Sequence, residues 1–312
     1  MEERRLSGGG PRPNAQRGEV RIFASAADLT RAAAEEVAAA LGKRGAEVRA
    51  AAAAAMNGMG LAVAAPFPTF CLSGGSTPRA LYRLLADPAA PYRDRLAWQD
   101  IHFFWGDERH VPPDHPDSNF RMAREAMLDH VPVPAAHVHR IAAEEPDAER
   151  AARAYERELI ETLHLRPDRE DAASTGAAAA AALDWPRFDL VLLGLGEEGH
   201  TASLFPGSPL LAAAGPGWTC GTARRPGRLV AAVWVEQHQT WRITLTPPVL
   251  ACAATVVFLV SGAAKAAALA AVVEGEPRPE LYPAQVVAPV DGRLLWLVDE
   301  AAAAQLRSRR RD

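Results

Sequence analysis

The chain has 312 residues, 49% of them hydrophobic, 23% charged and 6% aromatic, with a formal net charge of −4. That length holds one large α/β domain or two small ones, and the mild acidity excludes a general attraction to nucleic acid or acidic membranes. Cys71, Cys220 and Cys252 are far apart and outside any CxxC spacing, which excludes a disulfide framework or zinc knuckle and reads as free thiols in a reducing, cytoplasmic setting.

Residues 1–18 combine glycine, proline and charge without periodicity and read as a disordered tail, with no apolar core for a secretory signal. A strand is expected at 20–25 and a helix from Ala27, with the alanine run at 50–55 as plain helix. Further strands are expected at 67–74, 101–108, 188–196, 228–236, 255–262 and 293–300. Between them, helices begin at Pro78, after a Ser118 cap and near Asp147, and one ends at Gly275. Residues 168–185 are low in complexity and read as an inserted surface loop or ragged helix. The uncharged stretch 243–264 is broken by Pro247 and Pro248, so it reads as helix plus strand and not as a membrane span. Arg307, Arg309, Arg310 and Arg311 make 301–312 a solvated basic tail. Several strands are continuous apolar runs, the mark of strands buried on both faces. The expected fold is therefore a modified doubly wound, Rossmann-like α/β domain over 19–300, with a mainly parallel sheet and helices on both faces.

Chemistry concentrates where these strands end. After the strand at 67–74, Gly74 and Gly75 turn the chain, Ser76 or Thr77 can cap a helix, and Pro78 suits its first turn. Free N–H groups and the helix dipole make such a turn an anion site. It is not a Walker motif, because no lysine follows at the needed spacing. Asp107, Glu108 and Arg109 follow the next strand, and Lys265 falls in a helix first turn, where a cation opposes the dipole unless an anion is near. The run FDLVLLGLGEEGH puts His200 at a strand-to-loop turn, as a candidate general base. All these segments fall outside C-terminal strand ends, where open parallel sheets bind ligands.

Other chemistries fit less well. Gly194, Gly196 and Gly199 spell GxGxxG, but the acid that a dinucleotide fold needs about twenty residues later is absent. GxSxG and HExxH do not occur, and the pairs His110/His115 and His137/His139 lack a matching third metal ligand. His102 reads as structural.

Taken in order, GGSTP, WGDER with a following SN, GLGxxGHTASLFPG, and RITLT followed by an SGxxK helix resemble the 6-phosphogluconolactonases. The resemblance spans roughly residues 20–300. Glucosamine-6-phosphate deaminases are similar in GGSTP and the glycine–histidine loop, but they carry Asn-Glu-Pro where this chain has Ser203-Leu204-Phe205-Pro206. The resemblance implies hydrolysis of 6-phospho-D-glucono-1,5-lactone to 6-phosphogluconate in the oxidative pentose phosphate pathway, with no cofactor and no metal. The implied partner is the small sugar-phosphate lactone, with neither nucleic acid nor membrane, in a monomer or weak homodimer. Gly74, Gly75, Ser76 and Thr77 would hold the phosphate, with Arg109, Lys265 and Arg242 neutralising it. His200 would activate water and Glu198 would orient it, in the position where the family usually has aspartate. Asn119 would bind a sugar hydroxyl. Asp107 and Glu108 would either do the same or position Arg109.

Overall fold

In the computed structural model, which describes residues 18–56, 67–165, 185–214, 228–289 and 291–307, the apolar runs become strands of two sheets. The strands are β1 (Glu19–Phe23), β2 (Thr69–Leu72), β3 (His102–Trp105), β4 (Asp107–Arg109), β5 (Leu190–Gly194), β6 (Val230–Val235), β7 (Thr240–Leu245), β8 (Thr255–Val260) and β9 (Arg293–Asp299). Six form a sheet in the order β1-β9-β8-β5-β2-β3, and every pairing in it is parallel. Successive strand residues face opposite sides, yet Leu190, Val191, Leu192 and Leu193 are all buried, so both faces of the sheet are covered. The helices are α1 (Ala26–Met56), α2 (Ser76–Ala86), α3 (Asn119–Ala126), α4 (Ala148–Thr162), α5 (Pro247–Ala251) and α6 (Ala266–Glu274). No described helix is long and apolar enough to cross a membrane.

Several expectations need correction. The strand expected at 101–108 breaks at Gly106: β3 stays in the parallel sheet, while β4 turns into a second, antiparallel sheet ordered β4-β7-β6. The run at 228–236 belongs to that second sheet, hairpinned to β7. Ser118 and Asp147 do cap their helices, accepting from Arg121 N and from Glu149 and Arg150 N. Neither Ser76 nor Thr77 is the cap of α2. Gly75 takes that place at φ 109°, a left-handed region that favours glycine, and both hydroxyl residues lie in the first turn. Cys71 is free and buried, but Cys252 is disulfide-bonded, so the reading of free thiols fails there. The expected basic tail starts later than 301, because Ala302, Ala303 and Leu306 are buried and Arg307 bonds Glu274. Residues 1–17, 166–184 and 308–312 lie outside the described residues, and with them most of the expected insert and both chain ends.

His102 is structural, as expected. Its Nδ1 meets His139 Nε2 at 2.8 Å, and His139 Nδ1 meets Glu158 Oε1 at 2.6 Å. The His102 ring stacks on Phe67 at 3.6 Å and on His137 at 4.0 Å. Burial, with His137 and His139 alongside, pushes His102 from 6.5 down to about 3. The folded state therefore binds this proton more weakly than the unfolded chain. Its stabilising contribution is complete above pH 6.5 and is lost as the pH falls toward 3. Thermal melts between about pH 7 and about pH 4 should show a falling midpoint. His102→Asn, which keeps a partner for His139, should flatten that fall, and an unchanged slope would remove His102 as its cause.

Candidate active site

β2 and β5 are neighbours, but the chain leaves β2 toward β3 on one side and β5 lies against β8 on the other. Their following loops diverge and open a crevice at the C-terminal strand ends. Each loop is pinned at its root. The Tyr82 hydroxyl of α2 accepts from Ser73 N and donates to Ser73 O, both at 2.9 Å. The Tyr155 hydroxyl of α4 does the same for Trp105, at 2.9 and 3.1 Å. The Thr201 hydroxyl donates to Gly194 O at 2.9 Å. Asp299 accepts from Ser261 Oγ at 2.5 Å and from Gly262 N at 3.1 Å. The four functional loops thus start from fixed backbone.

A polar network joins them. Asn119 Nδ2 donates to the Asp107 carbonyl at 2.9 Å and to Asp107 Oδ1 at 3.3 Å. Ser203 Oγ donates to Asp107 Oδ2 at 2.7 Å. A Cβ on residue 74 would lie 1.9 Å from Asn119 Oδ1, so only glycine lets the cradle and α3 meet. Ser76 is exposed and Thr77 half-buried, with neither hydroxyl engaged among the described residues. Glu108 is 2% exposed and accepts from the backbone N–H groups of Arg109, Asn119 and Phe120 and from Ser118 Oγ, at 2.7–3.0 Å. Burial pushes its carboxyl up, opposed by those N–H groups.

Arg109 and Arg242 are direct cross-strand partners in the β4–β7 ladder. Like charges placed so are unfavourable unless something anionic lies between them. Arg109 Nη1 donates to Asp117 O at 2.8 Å, but the Nε of each arginine is buried without a hydrogen-bond partner. Burial and the neighbouring Arg109 push Arg242 down, opposed by Asp107, Glu108 and Asp117. Lys265 is 28% exposed and makes a long contact, 3.5 Å, with the exposed Glu197. Buried, unspent Nε donors on two facing arginines point to an anion site.

His200 lies within the field of Glu198, Asp107 and Arg242. Its Nδ1 is 3.1 Å from Glu198 Oε1, yet that nitrogen has no partner of hydrogen-bond geometry. The two groups are in ion-pair range with poor hydrogen-bond alignment, so the carboxylate acts on the imidazole more through charge than through direction. Gly196 approaches the same edge so closely that a Cβ there would sit 2.0 Å from Nδ1. Nε2 is left for a reacting group. Burial pushes the imidazole below its ordinary 6.5, with Glu198 and Asp107 opposing and Arg242 adding to the fall. That shift favours the neutral form, the one able to accept a proton. Glu198 lies below the usual carboxylate value: burial raises it, but its own backbone N–H, His200 and Lys265 together outweigh that.

Of the residues expected at the site, the structure joins Gly74, Asn119 and Asp107, sets Arg109 opposite Arg242, pairs Glu198 with His200 and puts Lys265 beside the neighbouring Glu197, while Gly75, Ser76 and Thr77 lie at the start of α2. Ser203 and Phe205 were missed as participants. Both lie within the histidine loop, and only their burial, 1% and 6%, marks them out. His110 and His115 diverge, His110 bonding Glu145 O and His115 lying near Asp117. Among the described residues no cluster is built to hold a metal ion. After Gly199 the chain makes a short bridge between Thr201 and Leu204 and not a helix, so those glycines do not introduce a dinucleotide-type helix N-terminus.

The family model for glucosamine-6-phosphate isomerases/6-phosphogluconolactonase matches residues 24–296. A 6-phosphogluconolactonase of Synechocystis sp. is 41% identical over 239 residues, covering 77% of this chain and 85% of that protein. One of Mycobacterium bovis is 38% identical over 244 residues, covering 76% and 84%. Among solved structures, 6-phosphogluconolactonase from Trypanosoma brucei aligns with a TM-score of 0.66 at 27% identity, over 93% of this chain and 98% of that one. A monomeric glucosamine-6-phosphate deaminase, 19% identical, shares the fold with a TM-score of 0.64 over 92% of this chain and 99% of that one.

The facing arginines generate a test. Arg242→Met should stabilise the ligand-free protein by about 0.2–1 kcal/mol, by relieving the like-charge pair. The same change should shrink the rise in melting midpoint that inorganic phosphate gives the unsubstituted protein. Melts with and without phosphate read both effects, and an undiminished phosphate response would take Arg242 out of the anion site.

Proposed function

The chain belongs to the glucosamine-6-phosphate isomerase/6-phosphogluconolactonase family, and we propose that it hydrolyses 6-phospho-D-glucono-1,5-lactone to 6-phosphogluconate through water activated by His200. The observation that carries this reading is the His200 imidazole paired with Glu198, together with two facing arginines whose Nε donors are buried and unpartnered. One supplies a base and the others an anchor for a phosphorylated substrate.

The 6-phosphate lies at the N-terminus of α2, against Gly74, Gly75, Ser76 and Thr77, with Arg109, Arg242 and Lys265 as its cations. Lys265 exchanges its long contact with Glu197 for the phosphate. Asn119 is already bonded to Asp107 and offers its amide oxygen to a sugar hydroxyl. Fixing the phosphate positions the lactone carbonyl beside His200. Water adds to C1 as its proton passes to His200 Nε2. The tetrahedral oxyanion is held by backbone N–H groups of the glycine turns. Its collapse breaks the bond from C1 to the ring oxygen, which takes the proton back from the imidazolium. Glu198 stabilises that cation while it lasts. The atoms balance with water alone, so this route draws on neither a covalent nucleophile nor a cofactor.

His200→Ala should lose about 10²–10⁴-fold in turnover while still binding 6-phosphogluconate. Turnover near that of the unsubstituted enzyme would exclude His200 as the base. Lys265→Ala should raise KM more than it lowers kcat. Because the neutral imidazole is the active form, kcat/KM should fall as the pH drops through the His200 value, with a midpoint below 6.5. The assay is opening of freshly generated lactone against its spontaneous rate, with unphosphorylated gluconolactone accelerated far less.

A further inference from the structure

A general base works only if its ring plane is fixed, and the polar contact to His200 alone fixes it poorly. Glu198 lies 3.1 Å from Nδ1 and acts on its charge, but its alignment is poor for a hydrogen bond, so this contact restrains the ring plane only weakly. What does define the plane is packing. The Phe205 ring lies against the imidazole with centroids 4.2 Å apart and planes 23° apart. Gly196 limits the Nδ1 edge. We infer that Phe205 is the positioning residue for His200: its ring holds the imidazole plane so that Nε2 faces the reacting carbon, and it keeps water off one face. This rests on the general-base reading above and adds a role for a residue outside the reacting atoms.

Phe205 is itself held firmly enough to act as a plate. It is 6% exposed. Before it, Ser203 is tied to Asp107 at 2.7 Å and Leu204 N donates to Thr201 O at 2.9 Å. After it, Ser208 N donates to Phe205 O and Gly207 N to Glu280 O, both at 3.0 Å. The His238 ring from the β6–β7 hairpin meets Phe205 edge-on at 5.8 Å. The charged groups acting on His200 are Glu198 and Asp107, which favour its cation, and Arg242, which disfavours it. The ring-face contact among the described residues is that of Phe205, and a flat contact is the kind that sets a plane.

The test uses Phe205→Leu, which keeps an apolar side chain but removes the plate, and Phe205→Tyr, which keeps the ring. In the leucine variant kcat should fall about 10–100-fold, with KM changed less than about twofold. Water now reaches the imidazole, so the acid limb of the pH profile and the NMR titration of His200 should both move upward toward the ordinary histidine value. The tyrosine variant should retain most of kcat and the original titration. A folded leucine variant with unchanged kcat and an unmoved His200 titration would overturn the inference, and so would a loss confined to KM. If the leucine variant does not fold, Phe205→Met carries the same two readings. If the unsubstituted protein opens no lactone, the proposed function fails, but the NMR titration still decides whether Phe205 governs His200.

Discussion

A carboxylate buried where two sheets meet must find donors, and the site depends on how Glu108 finds them. The chain leaves the parallel sheet at Gly106, and Asp107 and Glu108 follow with almost no exposure. Glu108 collects three backbone N–H groups and one hydroxyl. Two of those N–H groups, of Asn119 and Phe120, open α3, so a negative charge sits at the positive end of a helix. The carboxylate therefore fixes where α3 starts, and with it Asn119. Asn119 in turn fits against Gly74 and holds Asp107, and Asp107 holds Ser203 of the histidine loop. Loss of one such buried charge would leave several donors unpaired at once, which costs more than any single bond.

The same few residues settle how a cluster of charges can be stable without ligand. Arg109 and Arg242 oppose one another across a ladder, while Asp107, Glu108 and Asp117 offset part of the repulsion. Asp107 and Glu108 spend their oxygens on Asn119, Ser203, Ser118 and backbone N–H groups, and not on the guanidinium groups. The arginines therefore keep donors that a tighter ion pair would have consumed. The acids balance the field without occupying the site. A site meant only for folding would have closed those pairs, because a buried unpartnered donor is unfavourable.

Much of this was legible in the sequence because it is local. Continuous apolar runs at 188–196 and 255–262 declared strands covered on both faces, and both strands lie in the parallel sheet. Ser118 and Asp147 were recognisable caps because capping depends on a few adjacent residues. The glycines at 74 and 75, followed by proline, announced a turn into a helix, although the cap fell on Gly75. What the sequence hid is long-range. Nothing in residues 101–108 shows that the strand changes sheets at Gly106, because the partner that draws β4 away is β7, more than a hundred residues on. The facing of Arg109 and Arg242 is a matter of register between those strands. Phe205 reads as one more apolar residue until its ring is seen on His200.

The Glu198 contact shows how close packing relaxes a polar requirement. A carboxylate that both orients and charges an imidazole must meet Nδ1 in line, and a side chain with one more methylene than aspartate has more ways to miss. Here it misses the alignment but keeps the distance, so the electrostatic part of its role survives while the directional part weakens. The directional part passes to groups that act by shape: the absent Cβ of Gly196 on one edge and the Phe205 ring on one face. Both lie in the same loop as the histidine, and that loop is anchored through Thr201 to Gly194 and through Ser203 to Asp107. The base is thus held by its own loop, the charge around it by the neighbouring sheet, and Asp107, which touches both, keeps the two in register.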